Sequence, residues 1–247
     1  MTRFTRRVAR VLTVAAVLAG AGSARADVVL TFDGTAPSTD LQFSSGTRFF
    51  EVFPAGTMNF TGGPGAAAAG LGPTVRAYCV EIFRQVGSPG QTVPYNVVPL
   101  ASVGAVAASS EAAAKAAYLT ELWGRYAAGA TTDTTAAAFA LSVFKLLYDP
   151  VANRADFATG FLRFDAAHIA GPAVTTATSY LASLSGDTTY FTANPQYVNA
   201  ELVGLDSAQY QDQITVIRQV PAPAAVVLLG LGGLGLVARR RVSRRIS

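Results

Sequence analysis

Cys79 is the single cysteine of the 247-residue chain, and His168 is its single histidine. Together they bound the chemistry. A thiol acts as a nucleophile or metal ligand only as a thiolate, and one thiol with one imidazole falls short of a zinc site built on several Cys or His; no metal site is expected. A lone cysteine also rules out an intramolecular disulfide. A serine triad would need His168 as its base, and no Gly-x-Ser-x-Gly elbow accompanies it. Cys79 sits in an apolar run, where cysteine most often serves as a small buried hydrophobe. His168, in a polar-flanked loop, reads as a surface imidazole. Glu111 and Glu121 are 10 residues apart on one helix, about 15 Å, too far for a glycosidase pair. They read as a helix cap and a solvated side chain. With no convergent constellation, the chain is expected to be non-enzymatic, with no catalytic residue and no cofactor.

The elements that carry these residues follow from periodicity. Val28–Phe32 reads as a short strand before a turn at Asp33-Gly34. Arg48–Phe53 and Thr57–Phe60 read as a hairpin around Pro54-Ala55-Gly56. Gly62 to Gly72 is a Gly/Ala loop lacking the Lys-Ser/Thr ending of a phosphate loop. Val75–Phe83, holding Cys79, and Thr92–Val98 are strands. Ser109-Ser110-Glu111 starts a helix running to Ala128, with Tyr118, Leu122 and Tyr126 on one face. A second helix starts at Thr134 or Thr135, carries Phe139, Val143, Leu146 and Leu147, and stops at Asp149-Pro150. A third spans Pro172 to Leu184. Val198–Leu205 and Gln213–Val220 return to β. Strands, then helices, then strands indicate α+β: a β-rich, sandwich- or barrel-like lobe with an inserted helical hairpin.

Both ends have a different character. Residues 1–26 carry a basic start, an apolar run from Val11 to Ala21, and small residues at Ala24 and Ala26. That is the pattern of a cleavable secretory signal peptide, with the mature chain starting at Asp27. At the other end, Val220-Pro221-Ala222-Pro223 precedes the 15 uncharged residues Ala224–Ala238 and the basic cluster Arg239, Arg240 and Arg241. As a helix this stretch is roughly 22 Å long, short of a hydrocarbon core of about 30 Å. It suits a single, marginal transmembrane anchor with the arginines on the cytoplasmic side. Gly230, Gly232, Gly233 and Gly235 spell a dinucleotide fingerprint, but no second strand or acidic residue follows. The formal charge of the whole chain is +4, whereas residues 27–219 hold 9 basic against 15 acidic side chains, a net of −6. The basic character therefore belongs to the ends, and nucleic acid is not an expected partner.

The order of short proline motif, apolar segment and arginine cluster resembles the PEP-CTERM sorting signal of Gram-negative bacteria, over Val220 to Arg241. The usual Pro-Glu-Pro is Pro221-Ala222-Pro223 here. The resemblance implies export through the secretory translocon, retention in the membrane by the C-terminal helix, and processing by an exosortase. The expected locations are the cell envelope, then the cell surface or the extracellular matrix, with an envelope or matrix polysaccharide as a candidate partner. The domain plan is 1–26 signal peptide, 27–219 ectodomain, and 220–247 sorting signal.

A second resemblance lies in the body. Ala77-Tyr78-Cys79-Val80-Glu81 and the segment Ala138 to Asp149 resemble the cysteine strand and the helix of bacterial thioester domains. In that family a Cys thiolate and a Gln carboxamide condense with loss of ammonia to an internal thioester, which captures a surface amine or hydroxyl. The position matching the helix glutamine is Ala140, which has no acyl group to donate; Phe144 and Lys145 replace the usual Trp and Glu. Cys79 and Ala140 thus read as the remnant of a thioester site. The alternative is a covalent adhesin in which Cys79 uses another glutamine, with Gln85, Gln209, Gln211 and Gln213 as candidates.

Overall fold

The computed structural model describes residues 26–46, 48–165, 168–169 and 171–218. The expected signal peptide through Arg25, with Ala24, lies outside the described residues. So does the tail, with Val220, Pro221, Ala222, Pro223 and the cluster Arg239, Arg240 and Arg241. Among the described residues no helix is long and apolar enough to cross a membrane.

Seven strands form one antiparallel sheet: β1 (Ala26–Ser45), β2 (Arg48–Gly62), β3 (Thr74–Cys79), β4 (Thr92–Pro99), β5 (Leu162–Arg163), β6 (Ala200–Asp206) and β7 (Gln213–Arg218). Their order is β2-β3-β7-β6-β4-β1-β5, and β1 pairs with β2 as well. The first part of β1, Ala26–Thr31, pairs with β4, while Leu30–Ser45 pairs with β2. One strand pairing on both sides closes six strands into a small barrel, and β5 adds to the far end of β1. A barrel this narrow is filled by its own side chains. Alternate positions supply them: Val28 and Leu30, Phe60, Val75 and Ala77, Val93 and Tyr95 are all buried. Phe60 joins Phe32 and Tyr95 at ring separations of 5.4 and 6.0 Å.

Among the described residues five α-helices follow or interrupt the strands: α1 (Gly104–Ala107), α2 (Ala112–Tyr126), α3 (Asp133–Tyr148), α4 (Pro172–Ser183) and α5 (Thr189–Thr192). α3 is the hub. Thr132 and Thr135 form a capping box at its start, which satisfies two otherwise orphaned donors. Every residue from Ala136 to Leu147 is buried, because α3 lies between the sheet at β1, β2 and β3 and the helix α4. A helix apolar all round is stable only when enclosed in this way.

The α+β expectation and the helical hairpin α2–α3 fit this architecture, and four local expectations are corrected. Val28–Phe32 does not stop at Asp33-Gly34: β1 continues to Ser45 by taking register shifts at Phe32/Gly34, Thr35/Ser38 and Phe43/Ser45. Such bulges bend a strand without ending it. Arg48–Phe60 is no hairpin either, since Pro54, Ala55 and Gly56 are interior to β2, opposite Asp40, Thr39 and Ser38. Gly56 is needed because a Cβ there would run into the Pro37 carbonyl. The strand expected over Val75–Phe83 ends at Cys79, where the chain turns to meet residues 211–212. Glu121 is not solvated: it is fully buried, accepts N–H groups of Ser185 (2.8 Å), Gly186 (2.5 Å) and Asp187 (3.0 Å), and pairs with Arg125 at 2.7 Å.

A second buried charge closes α3. Lys145 and Asp149 are 0% and 1% exposed and 3.1 Å apart. Lys145 Nζ also donates to Thr159 O (2.8 Å) and Leu162 O (3.0 Å), and Asp149 accepts from Phe161 N (2.7 Å) and Leu162 N (3.1 Å). A helix terminus, a loop and β5 thus share one ion pair.

Candidate functional site

Cys79 is the last residue of β3, and strand alternation decides where it points. Val75, Ala77 and Cys79 share one face, while Arg76 and Tyr78 take the other, with Tyr78 against Trp123 and Phe139. β3 pairs with β7 so that Cys79 stands opposite Gln213. The segment before β7 is held against the segment after β3. Val80 N donates to Asp212 O (3.0 Å), Gln211 N to Gln85 O (3.0 Å), and Asp212 N to Glu81 Oε2 (3.0 Å). This clasp presents the Gln211 side chain to the thiol.

Cys79 Sγ donates to Gln211 Oε1 at 2.8 Å, while Gln211 Nε2 donates to the Glu81 carbonyl. Tyr95 Oη donates to Gln211 O at 3.3 Å, and Gln213 Nε2 reaches Gln211 O at 3.2 Å and Gln211 Oε1 at 3.4 Å. Gln213 Oε1 is buried, with no hydrogen-bond partner among the described residues. Tyr148, at the end of α3, accepts from Ile82 N (3.1 Å) and donates to Val80 O (3.2 Å), tying the helix to the turn after Cys79.

The electrostatics follow from burial. Enclosure pushes the Cys79 thiol up to about 12, with the Gln213 carboxamide pulling only partly the other way. The thiol is therefore protonated at neutral pH, in keeping with its donating to Gln211. Burial also lifts the Asp212 carboxyl to about 6, against the Ser207 N–H it accepts and helped by Glu81 and Asp206. The Tyr148 hydroxyl is raised to about 12, again chiefly by burial. The arrangement is a dry, protonated thiol in contact with a carboxamide.

The other expected residues fall elsewhere. Ala140 is buried in α3 and offers only a methyl, and the carboxamides at Cys79 come from the segment before β7 and from β7 itself. The late Gln211-Asp212-Gln213 run was the signal for it, but it becomes a partner of Cys79 only through the β3–β7 register. His168 is exposed and hydrogen-bonded to Asp165 at 2.5 Å, beside a cleft lined by Asp40 and Thr134. Gln209 is exposed and lines a cleft with Asp27, the expected first mature residue. Glu111 accepts Val151 N at 3.2 Å. Among the described residues no group of three or more His, Cys, Asp or Glu could hold a metal ion.

The class defined so far is an α+β domain on a small antiparallel barrel, with a buried thiol–carboxamide cluster at one end. Residues 219–241 match the PEP-CTERM protein-sorting motif. The chain is thus an exported protein sorted through its C-terminal tail, and the motif implies processing by an exosortase. No curated protein and no solved structure matches the chain.

Proposed function

We propose that this is a non-enzymatic protein of the cell surface or extracellular matrix, whose barrel domain has a structural or binding role toward envelope or matrix polysaccharide. The sorting motif at 219–241 carries the reading. The tail is read as the Val220-Pro221-Ala222-Pro223 variant, with Ala224–Ala238 as a temporary membrane handle. Residues 1–26 act as a signal peptide. Fractionating cells that express the chain with and without Val220–Ser247 tests this: tail-dependent recovery in the envelope or medium is expected, and full-length cytoplasmic protein in both cases refutes it.

A second reading is favoured by the Cys79–Gln211 contact of 2.8 Å. Here the Cys79 thiolate attacks Cδ of Gln211, the C–N bond breaks, and ammonia leaves with the thiol proton, giving an internal thioester. A target amine then takes the acyl group and returns the thiol, which makes the protein a covalent adhesin. Gln213 Nε2, 3.4 Å from Gln211 Oε1, supports the charge that develops on that oxygen. The elevated thiol pKa slows this step without blocking it, because a small thiolate fraction suffices for a single turnover. Intact mass of the exported protein decides. A deficit of one ammonia that disappears in Cys79→Ala and in Gln211→Glu supports the thioester, and the full mass ends it.

A further inference from the structure

Outside the barrel, the face of β3 and β7 that carries Arg76 and Thr215 meets the end of α2 and the 3-10 turn Pro195–Tyr197. Between them lies an open cleft of about 290 Å³. That volume is at the lower end of small-molecule sites, roughly 300–1,000 Å³, with room for one ring-sized unit. Among the described residues no Asp or Glu lines it.

Arg76 sits at its edge, exposed, in a body whose charge is otherwise negative. Its Nη2 donates to Ala130 O at 2.8 Å and to Thr57 Oγ1 at 3.4 Å, which fixes the guanidinium. The Tyr78 hydroxyl also hydrogen-bonds this side chain, and among the described residues no carboxylate pairs with it, so part of its N–H set is left for a ligand. Arg84 and Arg125, by contrast, are matched to Glu81 and Glu121. A held guanidinium with free N–H groups is a ready receptor for a carboxylate.

The remaining lining describes what the carboxylate should be attached to. Tyr197 is half-buried and stacks one ring face on Phe191 at 4.7 Å with parallel planes. Stacking fixes the ring at the cleft, where an aromatic surface suits the C–H face of a pyranose. Gln196 and Thr74, both exposed, add hydrogen-bonding groups at the rim suited to hydroxyls. The Thr215 and Tyr78 hydroxyls are already engaged, with Arg76 O at 2.7 Å and Thr57 Oγ1 at 3.0 Å, so they act as wall rather than as donors to a ligand.

We propose that this cleft binds a carboxylate-bearing sugar unit of an acidic polysaccharide, with Arg76 on the carboxylate, Tyr197 beside the ring, and Gln196 and Thr74 on the hydroxyls. The proposal rests on the polysaccharide-binding reading above and names its ligand class. Calorimetric titration of the purified full chain in detergent, at low salt, with tri-galacturonate, maltotriose and benzoate tests it. Tri-galacturonate should bind at least about tenfold more tightly than maltotriose, the scale of a charged hydrogen bond, and more tightly than benzoate. Arg76→Gln should abolish that preference, and Gln196→Ala, on an exposed turn, should weaken tri-galacturonate several-fold with unchanged thermal unfolding. The proposal is overturned if the folded protein binds none of the three, if maltotriose or benzoate binds as well, or if both variants bind as the native chain does. Such a failure with tail-dependent fractionation intact removes the ligand and leaves the export reading standing.

Discussion

Lys145→Met tests the logic of the α3 terminus most directly. Methionine keeps most of the aliphatic stem, so packing around α3 changes little, while the ammonium and its hydrogen bonds to Asp149, Thr159 and Leu162 vanish. Asp149 is then a buried carboxylate with two backbone donors and no directly paired counter-charge, Lys115 being the remaining cation that acts on it. Breaking a buried pair from one side costs about 3–5 kcal/mol, because the surviving charge cannot be resolvated. At roughly 2–4 °C per kcal/mol for a domain of this size, melting should fall by about 6–20 °C. Circular dichroism on heating reads this. Asp149→Asn in the Lys145→Met background should restore part of the loss, since the amide oxygen still accepts an N–H without carrying charge. A shift under about 2 °C for Lys145→Met, or a double variant much worse than the single one, refutes the idea that the pair is held as two charges.

Glu121→Gln keeps the shape but leaves Arg125 without its counter-ion and weakens three N–H contacts; urea unfolding should show a loss of about 3 kcal/mol. The Asp212 carboxyl is lifted to about 6 in the fold. Its proton is therefore held more tightly folded than unfolded, and its contribution to stability is full below about pH 4 and lost as pH rises through about 6. Asp212→Asn, which still accepts from Ser207 N, should raise stability at pH 7.5 by on the order of 1–2 kcal/mol and have little effect at pH 4. Gly70 has φ +80°, and a Cβ there meets the Arg218 carbonyl. Gly70→Ala should expose the end of β7, read as faster amide exchange at Arg218, whose N–H donates to Gly70 O at 2.9 Å.

The helices were legible because their signals are local. The start at Thr134 or Thr135, the Phe139-Val143-Leu146 spacing and Asp149-Pro150 are signals within one or two turns, although the cap itself is Thr132. The barrel was not, because closure depends on β1 running through Gly34 and Pro37 by bulges, and a Gly or Pro in sequence reads as a stop. Cys79 was singled out by its chemistry, but its neighbour Gln211 lies 132 positions away. Only the β3–β7 register brings the two together, and no periodicity encodes that. Glu121 misled for the same reason: its partners at 185–187 lie beyond any helical spacing.

β7 ends at Arg218, one residue before the sorting motif begins. β6 pairs with it along its full length, residues 213–218, while β3 pairs with it only at Gln213 and Ile214. Tension on the segment after Arg218 would therefore enter the domain along the β6–β7 ladder. Such a load is carried by many backbone hydrogen bonds in shear at once, whereas an edge strand peeled from its end would lose them one by one. A load applied along β7 is thus shared over the whole β6–β7 ladder.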